Sequence, residues 1–222
     1  MNLYQDTENY ICHHFNSRDE WLSKRIKGIG GSDASILVGL NPYKTNNELW
    51  KEKKGIVHSK EMSNAAIDHG NALEPVLRKW FEVSFNDFQV QYQENVILQS
   101  KNTEWRLYSP DGLLFHNEYG PGIFEAKTTL IQNSNMLEQW NNQIPQHYYI
   151  QVLHGLLTTN FNYVYLIAEL RFAWDEDKVE IRKYFIRRNE VLDDLKWLDQ
   201  QEKYNWNEFY VKDVEPSLVL FL

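Results

Sequence analysis

Ser109-Pro110-Asp111-Gly112 and, one hairpin later, Phe124-Glu125-Ala126-Lys127 are the stretches on which the reading of this chain turns. Side chains alternate between the two faces of a strand, so Glu125 and Lys127 project together while Phe124 and Ala126 point into the core. Asp111 stands where the preceding segment, WRLYSPDGLLFH, bends at Asp-Gly, and Tyr119-Gly120-Pro121-Gly122 is a strong turn signal between the two. Pairing through that turn brings Asp111 and Glu125 toward one point. Two carboxylates with the Ala126 carbonyl between them offer hard oxygen ligands of the kind Mg²⁺ or Mn²⁺ prefers. Lys127, beside them, is placed to orient or help deprotonate an attacking water and to offset phosphate charge. Taken singly, Pro-Asp-Gly is a common turn and Glu-x-Lys a common solvent-facing strand pattern. Their order and adjacency carry the information.

Working outward, FQVQYQENVILQ before this unit has the β-branched and aromatic content of strands, as do FNYVYLIAEL and KVEIRKYFI after it, joined by an acidic WDEDK turn. Between them the pattern predicts a helix from about Ile144 to Leu157 with Pro145 in its first turn, and a last helix starts near Asn189. The first third reads as helical. Ser17 or Asp19 caps a short helix through Trp21 and Ile26, and Ser32 caps SDASILV. Thr45 opens a helix closed by Gly55, and Ala66, Gly70, Leu73, Leu77 and Trp80 or Phe81 recur at helical spacing. The expected fold class is α/β: a central mixed β-sheet flanked by helices. No repeat or linker divides the chain, so one domain over residues 1–222 is expected, with a helical part about 1–85, a β-sheet core about 86–190 and a C-terminal helix and tail 191–222.

With 222 residues, 42% of them hydrophobic, the chain buries a core without metals or disulfides as staples. A single cysteine, Cys12, excludes an internal disulfide and suits a reducing, cytoplasmic setting. No signal peptide is read at MNLYQDTENYICHHF, and no apolar run approaches the roughly 20 residues that cross a bilayer. Net charge is −8, yet basic clusters occur at Lys24, Arg25 and Lys27, at Lys51, Lys53 and Lys54, and at Arg182, Lys183, Arg187 and Arg188. The overall charge therefore neither supports nor excludes a phosphate-rich partner. His13, His14, His69, His116, His147 and His154 show no zinc spacing; His69 and His147 are the two expected nearest the carboxylates.

The pairing SPDG…FEAK resembles the pattern of PD-(D/E)XK nucleases, and flanking segments narrow the resemblance to the lambda-exonuclease or YqaJ-like viral recombinase group. Trp21…Arg25…Gly31-Ser32, in IGGSDAS form, looks like that group's opening motif. HGNALEP resembles its Gly-x-x-x-Glu helix at Gly70 and Glu74, and PQHYYIQVLHGL resembles its Tyr-x-x-Gln helix at Tyr148 and Gln151. The resemblance implies a restriction-endonuclease-like core and a metal-dependent 5′-to-3′ exodeoxyribonuclease. Asp111, Glu125, the Ala126 carbonyl and Glu74 would hold metal, with two Mg²⁺ ions per site, and Lys127 would be the catalytic lysine. Tyr148 and Gln151 would work near the scissile phosphate, while Arg25, Ser32 and Ser109 would form a pocket for a 5′-terminal phosphate. It also implies a homotrimer around double-stranded DNA ends, a single-strand annealing protein as partner, and a phage or prophage origin in a bacterial cytoplasm. A restriction-like or structure-specific endonuclease on the same core and a catalytically silent DNA-binding subunit are the alternatives.

Overall fold

The computed structural model describes residues 2–57 and 65–217; residues 218–222 of the expected tail lie outside it. In chain order the elements are β1 (Tyr10–His14), α1 (Arg18–Arg25), α2 (Gly31–Leu37), α3 (Asn46–Lys53), α4 (Ala65–Ser84), β2 (Phe88–Gln91), β3 (Val96–Ser100), β4 (Leu107–Tyr108) and β5 (Gly112–His116). There follow β6 (Gly120–Ile131), α5 (Ser134–Glu138), α6 (Gln146–Thr159), β7 (Tyr163–Phe172), β8 (Asp175–Arg187) and α7 (Leu192–Trp206).

The strands form two sheets. A small antiparallel sheet has the order β1-β3-β4, and a larger mixed one the order β2-β5-β6-β7-β8. In the larger sheet β6 and β7 run parallel, which requires the α5–α6 crossover between them, and the other pairs are antiparallel. Alternation along the strands sorts its two faces. Leu114, Phe124, Tyr163 and Ile167 meet Leu77 and Phe81 of α4, while Leu113, Ile123, Val164 and Leu166 face α6 through Ile150, Leu153 and Leu156. The expected flanked mixed sheet is the one observed.

Three local readings are corrected. The N-terminal third is not all helical, because Tyr10 and Cys12 point inward from β1, which pairs with β3. Ser32 does not cap α2: the cap is Gly30, whose N–H donates to the Asp33 carboxylate at 3.1 Å, so the helix begins before Ser32. The WDEDK turn is shorter than expected, since β8 already starts at Asp175. Ser17 and Thr45 do cap α1 and α3, each accepting a backbone N–H from three residues ahead.

Candidate active site

Asp111 lies on the three-residue crossing from β4, in the small sheet, to β5, in the large one. Gly112 pairs with Phe124, which sets Asp111 beside Glu125 at the ends of the β5–β6 hairpin. The Ala126 N–H donates to Asp111 Oδ2 at 2.9 Å. The N–H and C=O of a strand residue point to the same edge, so the Ala126 carbonyl also faces the side of Asp111. Lys127 Nζ donates to Glu125 Oε2 at 2.7 Å and stands 3.7 Å from Asp111 Oδ2. From α6, Gln151 Nε2 donates to the same Glu125 oxygen at 3.0 Å, and the Tyr148 ring lies 5.6 Å from Lys127 Nζ. From α4, Glu74 accepts from Arg78 at 2.9 Å, and Arg78 also donates to the Asp111 backbone carbonyl. The six predicted residues Asp111, Glu125, Lys127, Glu74, Tyr148 and Gln151 thus converge from three elements and a crossing.

The electrostatics follow from burial. Glu125 is fully buried, and desolvation, with the charge of Asp111 added and Lys127 pulling the other way, leaves its pKa at about 7. Glu74 is also raised, by burial and then by Asp111. Burial alone would lower Lys127, but Glu125 and Asp111 hold it charged and above its ordinary value. Crowded carboxylates that resist ionisation are what a cation relieves. Among the described residues no three His, Cys, Asp or Glu side chains are grouped so that they could hold a metal ion by themselves. Mg²⁺ does not need such a group, because it keeps several of its waters and is commonly held by one or two carboxylates. Asp111, Glu125 and the Ala126 carbonyl suit such an ion, with Glu74 at its side.

Arg25, Ser32 and Ser109 also meet. They line one cavity of about 150 Å³ together with Trp21, Gly30, Gly31, Tyr108, Asp111 and Gln151. Arg25 donates to Ser32 Oγ, and Ser109 Oγ donates to the Val96 carbonyl at 2.7 Å. A second cavity of about 360 Å³ shares Arg25, Ser109 and Asp111 and extends past Glu74 to Tyr92. A larger groove of about 1070 Å³, between the start of α6 and β8, contains none of these residues and carries no carboxylate cluster. Of the histidines, His147 packs on Tyr148, and burial and then Lys127 lower its pKa to about 4. His69 Nε2 lies 2.7 Å from Glu169 Oε1.

Sequence reasoning missed Tyr108, Arg78, Asp33 and Lys53. Tyr108, fully buried, donates its hydroxyl to Glu125 Oε1; a Cβ on Gly155 would stand 2.8 Å from its ring, and one on Gly31 3.2 Å, so two glycines admit it between α6 and α2. Arg78 lies one helical turn past Glu74, a spacing that signals an ion pair but not its second bond to Asp111. Asp33 is nearly buried. Its desolvation cost is outweighed by Lys53 and Arg25, which hold its carboxyl well below the usual range.

An Asp and a Glu-x-Lys at the adjoining ends of two hairpin strands, on a mixed sheet with helices on both faces, define a restriction-endonuclease-like core. The chain belongs to the YqaJ-like viral recombinase domain family, whose model matches residues 20–162. It is 34% identical over 208 residues to the Bacillus subtilis protein YqaJ, covering 91% of this chain and 59% of that protein, so it spans well under two thirds of the relative's length. An alkaline exonuclease from Laribacter hongkongensis shares the fold at a TM-score of 0.65 and 15% identity, over 87% of this chain and 93% of the other. The same enzyme in complex with dAMP gives 0.66 and 16% over the same shares. Among the described residues no helix is long and apolar enough to cross a membrane.

Proposed function

We propose that the chain is a Mg²⁺-dependent exodeoxyribonuclease that digests one strand of linear duplex DNA from its 5′ end, releasing 5′-mononucleotides and leaving a 3′ single strand. The observation that carries this reading is the shared wall: the cavity holding Arg25, Ser32 and Ser109 is also lined by Asp111 and Gln151. A 5′-terminal phosphate held by the arginine fork and the two hydroxyls sets the next phosphodiester toward the carboxylates. Attack of water at that phosphorus breaks its bond to the 3′ oxygen of the terminal nucleotide. The shortened strand then carries a new 5′-phosphate, the group the cavity is built to take.

Bound Mg²⁺ would supply charge stabilisation for the attacking and leaving oxygens. Asp111, Glu125 and the Ala126 carbonyl would hold it, with Glu74 serving a second ion and Mn²⁺ able to substitute. Lys127, held as the ammonium by Glu125 and Asp111, is positioned to orient the water and to offset charge on the phosphate. Gln151 and Tyr148 bound the space beside the scissile phosphate. An alkaline exonuclease of the same fold has been crystallised with dAMP, a 5′-mononucleotide, which accords with the product expected here. We further infer, from the resemblance alone, a homotrimer around duplex DNA, a single-strand annealing partner, and action in a bacterial cytoplasm from a phage or prophage. Light scattering tests the trimer: a monomeric mass removes the ring.

Linear duplex with and without a 5′-phosphate, and closed circular plasmid, should be incubated in Mg²⁺ and in EDTA. Metal-dependent loss of only the linear DNA, faster with the phosphate, supports the reading. Nicking of the circle would point to an endonuclease on the same core. No cleavage with any divalent metal would leave a DNA-binding subunit.

A further inference from the structure

Behind the cavity wall lie two charged residues, Asp33 and Lys53, that the proposed chemistry does not use. Asp33, in the first turn of α2, has a different cation on each oxygen: Arg25 at 3.8 Å from Oδ1 and Lys53 at 2.8 Å from Oδ2. Lys53 reaches in from the end of α3 with only 9% of its side chain exposed, and its Nζ also donates to the Arg25 backbone carbonyl at 3.0 Å. That carbonyl is at the C-terminal end of α1, where a cation is favoured. One ammonium group therefore joins the two elements that carry the cavity's donors, α1 with Arg25 and α2 with Ser32. Asp33 fixes the start of α2 by accepting the Gly30 N–H.

The charges matter as much as the bonds. Without Lys53, Asp33 would be left with Arg25 as its only cation here, and the guanidinium would be largely neutralised by its own neighbour. With Lys53 the three groups carry a net single positive charge, and Arg25, one-third exposed, turns it toward the cavity. A low-dielectric surround makes that excess count.

We infer that Lys53 and Asp33 are positioning residues for recognition of a terminal phosphate: Lys53 neutralises Asp33 so that the Arg25 guanidinium remains available to a 5′-phosphate. This rests on the proposed phosphate cavity. The role is distinct from that of Arg25 and Ser32, which would touch the phosphate themselves.

The test is equilibrium binding, by anisotropy in EDTA, of one duplex carrying either a 5′-phosphate or a 5′-hydroxyl, with circular dichroism to check folding. The readout is the ratio of the two affinities. Lys53→Met is expected to lower that ratio by about tenfold, since it removes the charge that frees Arg25. Lys53→Arg should keep it. The double variant Asp33→Asn/Lys53→Met, which buries no unpaired charge, should regain most of what Lys53→Met loses. A merely structural tie would leave the double variant about tenfold below the parent ratio, and that result overturns the inference even if Lys53→Met alone does not fold. An unchanged ratio in folded Lys53→Met also overturns it. Equal affinity for both ends in the parent protein would instead remove the phosphate cavity itself.

Discussion

Tyr108 and Glu125 share a buried hydrogen bond in which the tyrosine hydroxyl donates to one carboxylate oxygen, while Lys127 and Gln151 serve the other. Tyr108 belongs to the small sheet and Glu125 to the large one, so this contact ties the two sheets together at the proposed metal site.

Tyr108→Phe keeps the ring between Gly31 and Gly155 and removes only the donor. It is expected to cost about 1–3 kcal/mol of stability, the usual penalty of leaving a buried acceptor unsatisfied. It should also weaken Mg²⁺ by roughly 10- to 100-fold, because a ligand carboxylate loses its outer partner. Urea denaturation and a Mg²⁺ titration of hydrolysis read the two effects, and an unchanged Mg²⁺ dependence would count against Glu125 as a ligand.

Asp111→Ala should abolish hydrolysis and leave binding to DNA ends largely intact, since the phosphate cavity keeps Arg25, Ser32 and Ser109. Anisotropy with end-labelled duplex and a gel assay of digestion check the two halves. Hydrolysis retained in this variant contradicts the site assignment.

Glu125 gives the metal-free protein a pH dependence of definite sign. Its pKa is raised by burial from 4.5 to about 7, so between those values the folded state holds a proton that the unfolded chain has released. The contribution of Glu125 to stability must then fall as pH rises through that window, against the opposite contribution of His147. The effect is read as the difference between the parent and Glu125→Gln, in which other groups, such as His147, cancel. Because a bound cation requires the ionised carboxylate, the gain in Tm on adding Mg²⁺ should be larger at about pH 8 than at about pH 5. Equal gains would mean that Mg²⁺ stabilises the fold elsewhere.

A buried ionic cluster fastens α7 to the back of the site. Glu202 accepts from Arg106 at 2.8 Å and faces His154 Nδ1 at 2.7 Å, while His154 Nε2 lies 2.9 Å from the Leu107 carbonyl. Burial alone would raise Glu202, but His154 and Arg106 hold it below its ordinary value. Arg106 also donates to Asp199 at 2.9 Å, so Glu202→Gln leaves it one carboxylate while removing the charge that faces His154, and should cost about 1.5–3 kcal/mol in chemical denaturation. A loss under 1 kcal/mol would show that water reaches the cluster.

Much of the site was legible in the sequence because the relevant geometry is local. Alternation along β6 set Glu125 and Lys127 on one face, helical spacing joined Tyr148 to Gln151, and a hairpin turn brought Asp111 alongside. That turn is at residues 117–119, and the expected Gly120-Pro121-Gly122 is already paired strand. What escaped was held by distant partners. β1 is five residues long and has no pattern of its own beyond Tyr10 and Cys12, so its pairing with β3 decides it. Ser32 carries an ordinary capping side chain, yet Asp33 and Arg25 compete for the groups around it and shift the helix start to Gly30.

The sequence by itself determined the α/β pattern, the carboxylate–lysine unit and the set of residues available to it, since strand and helix periodicities are covalent facts of the backbone. Tertiary structure alone decided that β6 and β7 run parallel, that Tyr108 and Arg78 hold Glu125, Glu74 and Asp111, and that Lys53 stands behind Arg25. Those choices depend on which buried charge or donor finds its partner across the fold, and the cost of leaving one unpaired is felt only once water has been excluded.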